Sequence, residues 1–330
     1  MAKNQDCKDT LVLAVERGIA EPQGQWAFYN ASPLPGIEDQ WKACLICEQA
    51  FRPQYLALEK HDYPCVPQFE SQQYDGAIVL LGRNRLVNEQ TIIRAWNSCK
   101  SGTKVIIAGN KTDGIDSIRK WFSKHQEIEE SFSKYHAKVF WAIKTEDMIE
   151  PSDLAKMIDG YHLAEGMFSA DGPDKGSRLL AEHFDHRVKG DVADLGAGWG
   201  YLSAELLKKS DRVTSIDLFE ADYHALEAAK INLSQASVTT QFHWCDVTTE
   251  FKKKPYHWVI MNPPFHSGRA AEPELGKQFI QKAASTLPSG GRLLMVANRN
   301  LPYENTLSKA FKKFETLQER DGFKVIEAVK

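Results

Sequence analysis

Short apolar runs of strand length alternate along this chain with amphipathic stretches that suit helices, and the alternation predicts an α/β fold. Trp258-Val259-Ile260-Met261 is one such run, read as a buried parallel strand that Pro263 and Pro264 stop abruptly. Upstream, Val192-Ala193 leads into Asp194-Leu195-Gly196-Ala197-Gly198-Trp199-Gly200 and then into helix-like residues 201–207, the signature of a strand, a glycine loop and a helix. Residues 213–220 predict a second strand and 241–245 a third. The spacing GxGxG differs from the GxGxxG of a dinucleotide-binding loop.

The pattern occurs twice. Tyr74-Asp75-Gly76-Ala77-Ile78-Val79-Leu80-Leu81 parallels Tyr256-His257-Trp258-Val259-Ile260-Met261, and residues 101–111 parallel 289–299. Residues 117–122 then match 306–311, and 134–144 match 320–330, in the same order and at similar spacing. The two copies differ where chemistry would sit. Leu81-Gly82-Arg83-Asn84 stands where the second copy has Asn262-Pro263-Pro264-Phe265, and residues 43–50 stand where it has the glycine loop. The sequence therefore predicts two Rossmann-like domains in tandem, a degenerate one over residues 1–150 and a complete one over 151–330. A short capped helix is expected over residues 152–158 at the junction.

Composition narrows the picture little. The 330 residues are 42% hydrophobic with a formal net charge of −3, so no overall basic character announces nucleic acid. Local positive clusters at residues 252–254, at Arg269, Arg292 and Arg299, and at Lys309, Lys312 and Lys313 are either solvated surface or phosphate contacts. No apolar run approaches the ~20 residues that span a bilayer, and no signal-peptide pattern opens the chain, so a cytoplasmic monomer is expected. The six scattered cysteines then read as reduced thiols, Cys44 and Cys47 included, and no metal is expected.

The candidate chemistry lies at the carboxyl ends of the predicted strands, where open α/β sheets bind ligands. Asn262 and the Pro263 carbonyl, held by the rigid Pro-Pro, suit a grip on the two N–H bonds of a planar amine. With the glycine loop upstream, residues 161–330 resemble the class I S-adenosylmethionine (SAM)-dependent methyltransferases, which pair a D-x-G-x-G-x-G loop with an N/D-P-P-F/Y/W loop. They are most similar to the bacterial ribosomal RNA guanine-N2 methyltransferases of the RsmC/RlmG type. The stretches that carry the likeness are Gly166-Met167-Phe168-Ser169, Asp174-Lys175-Gly176-Ser177, the extension to His266, and residues 296–303.

The resemblance implies a role for each position. Asp194, Gly196, Gly198 and Gly200 would receive the methionine end of SAM, with Phe168, Lys175 and Ser177 closing over it. Two acids compete for the ribose hydroxyls, Asp217 and Glu220, and Glu220 is preferred because it adjoins the helix start at Asp222. Asp246 would either accept from the adenine amino group or serve as a turn residue. Asn262 and Pro263 would hold the acceptor amine and Phe265 would stack on its base. Pro264 would line the substrate side, His266 would accept a proton or orient neighbours, and Arg269 would touch a phosphate or remain solvated. The expected activity is methylation of guanine N2 in ribosomal RNA, with 16S preferred to 23S. Adenine N6, a protein glutamine amide and a non-catalytic RNA-binding role are the alternatives. The first domain is expected to bind RNA or to be structural.

Overall fold

The computed structural model describes residues 6–70, 72–148, 155–164, 172–252, 254–264 and 273–330. The chain divides into two compact units, residues 1–154 and 155–330. Among the described residues no helix is long and apolar enough to cross a membrane.

The first unit is a sheet of seven strands: β1 (Trp26–Tyr29), β2 (Leu45–Glu48), β3 (Cys65–Val66), β4 (Tyr74–Leu80), β5 (Cys99–Asn110), β6 (Glu130–Lys134) and β7 (Ala137–Ile143). Their order is β3-β2-β1-β4-β5-β7-β6. β1 to β5 run parallel, and β7 pairs antiparallel with both β5 and β6.

The second unit opens with a hairpin, β8 (Ala155–Ile158) and β9 (Tyr161–Ala164), and continues through β10 (Gly190–Leu195), β11 (Val213–Glu220), β12 (Thr239–Trp244), β13 (Trp258–Met261), β14 (Arg292–Asn298), β15 (Lys313–Arg320) and β16 (Phe323–Val329). Its main sheet has the order β12-β11-β10-β13-β14-β16-β15, strand for strand that of the first unit. The duplication read from the sequence is thus a duplication of topology. The central strands are buried on both faces, which is why they read as continuous apolar runs: all four residues of β13 are buried.

Two local expectations are corrected. Residues 155–158 form strand β8 and not a helix, because Asp159 and Gly160 adopt left-handed φ of 53° and 83°, the turn that closes a two-residue hairpin onto β9. Residues 43–50 are not the counterpart of the glycine loop. They contain β2, which corresponds to β11, whereas the loop's counterpart follows β1 at Asn30.

In the first unit those strand ends are bonded to one another. Asn30, at φ 50°, donates from Nδ2 to the Leu80 carbonyl at 2.9 Å. Asn88 joins both backbone groups of Gly82 at 2.8 and 2.7 Å, and Arg94 Nη2 reaches Glu48 Oε1 at 2.6 Å. The backbone groups and the acid that would face a ligand are satisfied by the unit's own side chains.

Candidate active site

The glycine loop and the Asn-Pro-Pro segment meet because their strands are neighbours. β10 and β13 pair in parallel with Leu195 opposite Met261, so Gly196 and Asn262 leave the sheet side by side. A Cβ on Gly196 would lie 3.9 Å from Pro264 Cδ and 3.4 Å from Phe279 Cε1. Pro263 is buried and Pro264 exposed.

The loop is tied to β11 through the Gly196 and Ala197 amides, which donate to the Phe219 carbonyl at 2.8 and 3.1 Å. Gly198, at φ 55°, has open space where a side chain would project. Gly200, at φ 84°, starts the helix Tyr201–Lys209 and packs on Ala229, 3.1 Å from where its Cβ would be. The outer side of the loop is braced by the hairpin: the Tyr161 ring lies 5.0 Å from that of Trp199, and Asn232 Nδ2 donates to the Trp199 carbonyl at 2.9 Å.

The two candidate acids for the ribose take different positions. Glu220 ends β11 beside the loop. Its Oε2 accepts from Gly198 N at 2.7 Å, and its Oε1 from Ala221 N and Asp222 N at 2.8 Å each. Asp222 then caps the helix Tyr223–Asn232. Asp217 lies three positions earlier, paired with Ala193 inside the sheet. Its Oδ2 accepts from Tyr256 Oη at 2.6 Å and Lys254 Nζ at 3.1 Å, so it sits in a buried polar cluster, and its Oδ1, like that of Asp194, has no hydrogen-bond partner. Three positions apart on one strand, the two side chains leave opposite faces of the sheet, and Glu220 is the one bonded to the glycine loop.

Asp194 is fully buried, and Ser203 donates to its Oδ2 at 2.6 Å. Its Oδ1 has no hydrogen-bond partner. Burial pushes its carboxyl up to about 7, the Ser203 bond opposes this, and the nearby Glu220 charge adds to it. Burial likewise raises Glu220, against the three backbone N–H groups that favour its charged form. Asp246 follows β12 and turns back on its own chain, accepting from Thr248 N and Oγ1 at 2.8 and 2.7 Å and from Thr249 Oγ1 at 2.9 Å. The turn role is the one its present bonds describe. Cys245 N donates to the Glu220 carbonyl at 2.9 Å, which keeps this strand end beside that of β11.

Asn262 is held from a helix on the other side of the crevice. Its Nδ2 donates to Ser177 Oγ at 2.9 Å and to Asp174 Oδ2 at 3.2 Å. Ser177 was expected to close over the methionine end of SAM; its side chain contacts Asn262 and Asp174. Lys175, expected beside it, is exposed. Phe168, Phe265, His266 and Arg269 lie outside the described residues. Ser203 and the link from Asp174 to Asn262 were not foreseen. Asp174 is recognisable as a helix cap from its spacing before Ser177, but nothing in the sequence joins it to a residue 88 positions away. Among the described residues no group of His, Cys, Asp and Glu is arranged to hold a metal ion.

The buried Asp194 with its unpartnered Oδ1, the glycine loop with open space at Gly198, and Glu220 lie together toward the carboxyl ends of β10 and β11, where open α/β sheets bind ligands. The carbonyl and amide oxygens at the end of β13 add hydrogen-bond acceptors next to them.

Comparison with known proteins identifies the family. The family model described as "Methyltransferase small domain" matches residues 161–327. A ribosomal RNA small subunit methyltransferase C of Psychromonas ingrahamii is 30% identical over 69% of this chain and 68% of its own length. The protein of the same name from Pseudomonas paraeruginosa is 26% identical over 77% of this chain and 79% of its own. The solved structure described as the 16S rRNA N2 G1207 methyltransferase of T. thermophilus, in complex with AdoMet and guanosine, superposes with a TM-score of 0.81 at 23% identity, covering 98% of this chain and 91% of that one. It shares the fold of both units. The chain belongs to the methyltransferase small domain family, among the ribosomal RNA methyltransferases of the small subunit methyltransferase C type.

Proposed function

We propose that this protein transfers a methyl group from SAM to the exocyclic N2 amine of a guanine in 16S ribosomal RNA, and that residues 155–330 carry the reaction. The observation that carries the reading is the juxtaposition of Asn262 and Pro263 with the glycine loop, fixed by the β10–β13 pairing. The names and reaction of its relatives support the same acceptor.

SAM supplies an electrophilic methyl group on a sulfonium, so the chain's contribution is chiefly positioning. Asp194 Oδ1 would take a donor from the methionine end, Gly198 would leave room for it, and Glu220 would accept from the ribose hydroxyls. Asp246 would receive the adenine amino group on the lone pairs its turn does not use. A guanine amine is a weak nucleophile because its lone pair is delocalised into the ring. Asn262 Oδ1 and the Pro263 carbonyl would each accept one of its N–H bonds, which turns the lone pair out of the ring plane and stabilises positive charge forming on nitrogen. Phe265, Pro264 and His266 would seat the base, and Arg269 a phosphate. The target must leave any base stack to reach the crevice.

The first unit, with its strand ends bonded internally, is assigned no chemistry and serves as support or as an RNA contact. Transfer of labelled methyl from SAM to small ribosomal subunits or their RNA, followed by digestion to nucleosides, tests the reading. Label in N2-methylguanosine of 16S RNA is expected. Label in adenosine, in protein or nowhere would overturn it.

A further inference from the structure

The side-chain amide of Asn262 has an oxygen on one side and a nitrogen on the other, and only the oxygen can accept from an amine. Something must fix which one faces the crevice. The hydrogen bonds around Asp174 do so, and their directions follow from chemistry alone.

Asp174 Oδ1 accepts from Gly176 N at 2.9 Å and Ser177 N at 3.3 Å, capping the helix Lys175–Ala181. Its Oδ2 accepts from Ser177 Oγ at 2.5 Å. Ser177 has a single hydroxyl hydrogen, and that bond uses it, so toward Asn262 the Ser177 oxygen is an acceptor. Both groups facing the Asn262 amide at 2.9 and 3.2 Å are therefore acceptors. A reversed amide would place its oxygen against a hydroxyl lone pair and a carboxylate. The nitrogen is held inward and Oδ1 is left for the crevice.

The helix start that carries Asp174 is itself fixed. A Cβ on Gly176 would fall 2.9 Å from Phe323 Cδ1 and 3.0 Å from Asp174 Oδ1, so the turn sits tightly against β16.

We propose that Asp174 is a positioning residue for methyl transfer: with Ser177 it ties back the Asn262 nitrogen and presents the Asn262 oxygen to the acceptor amine. The proposal rests on the reading that Asn262 grips that amine. It makes the polarity of the pair, a carboxylate at 174 against an amide at 262, the element that orients the amide.

The test uses the full chain, with SAM affinity by calorimetry, thermal unfolding, and single-turnover methyl transfer to 16S RNA. Asp174→Asn retains the helix cap, since Asn and Asp cap about equally well. It keeps the capping oxygen and replaces the Oδ2 acceptor by an NH2, so the Asn262 amide loses its fixed orientation. The expected result is a fall in methyl-transfer rate of about 10- to 100-fold, with SAM affinity and melting temperature close to the parent. Asn262→Asp alone sets two carboxylates together and is also slow. The double variant Asp174→Asn/Asn262→Asp restores the pairing with donor and acceptor exchanged, and an oxygen again faces the amine. It is expected to recover at least about tenfold over either single variant. An unchanged rate in Asp174→Asn, or a double variant no faster than the singles, would overturn the proposal. Asn262→Ala is the control for the reading beneath it: if that variant remains active, the grip itself is wrong, whatever Asp174 does.

Discussion

In the first unit the Arg94 guanidinium closes on Glu48, the acid that ends β2, just as Glu220 ends β11 in the second. Glu48 also accepts from Phe69 N at 2.7 Å. One copy of the sheet ties its strand-end acid to an arginine, while the other ties its acid to backbone N–H groups, one of them in the glycine loop. Calorimetric titration with SAM is therefore expected to give one site per chain. Arg94→Ala should lower stability by about 2 kcal/mol through loss of the charged hydrogen bonds to Glu48, read by denaturant unfolding, and should not create a second site. Two equivalents bound per parent chain would contradict this.

The two acids of β11 are separable by substitution. Glu220→Ala removes the acceptor for Gly198, Ala221 and Asp222 and is expected to weaken SAM binding by about 100-fold or more. Asp217→Asn should change SAM affinity less than about twofold and instead lower the melting temperature, because Tyr256 and Lys254 lose a charged partner. The reverse pattern would return the ribose role to Asp217.

Gly198 offers a cleaner probe of the loop. Its side-chain direction is open, so the Cβ of Gly198→Ala meets no protein atom within 4 Å, although its φ of 55° adds strain of about 1 kcal/mol. The variant should fold and fail to bind SAM. Retained affinity would show that the cofactor does not approach this side of the loop.

Asp194 sets a pH dependence. In the folded chain its carboxyl keeps a proton up to about 7, whereas the unfolded chain releases it in the usual carboxylate range. Below that range the group favours neither state, and as pH rises toward about 7 it progressively destabilises the unliganded fold. A cationic cofactor needs the charged form, so SAM affinity should increase with pH up to about 7 and level off above it. Asp194→Asn should make that profile shallower, lower the affinity and raise the melting temperature of the free protein at pH 8. A pH-independent affinity in the parent would remove Asp194 from the cofactor site.

The elements built on continuous apolar runs were legible in the sequence, since β10, β13 and β14 are buried on both faces and their composition reflects it. The repeat was legible for the same reason. The hairpin was not, because four-residue strands have too short a period to outvote a helix cap, and the Asp159-Gly160 turn decides the matter. β1 was missed although Trp26–Tyr29 is as short and as buried as β13, because no Asn-Pro-Pro stop or glycine loop follows it to mark its end. Within the site, the strand-end Asn-Pro-Pro and the glycines could be read, because rigidity and left-handed backbone depend on residue type. The choice between Asp217 and Glu220 depends on side-chain direction, and the bonds from Ser203 to Asp194 and from Asn262 to Asp174 depend on tertiary packing.

The most direct test of catalysis by the β13 strand end is Asn262→Ala in the full chain, with SAM affinity and single-turnover transfer to 16S RNA measured on the same preparation. Affinity within about twofold of the parent and transfer slowed by about 100- to 1000-fold is the expected result. Transfer at the parental rate would contradict the role of Asn262 and, with it, the assignment of this strand end as the place where the acceptor amine is held.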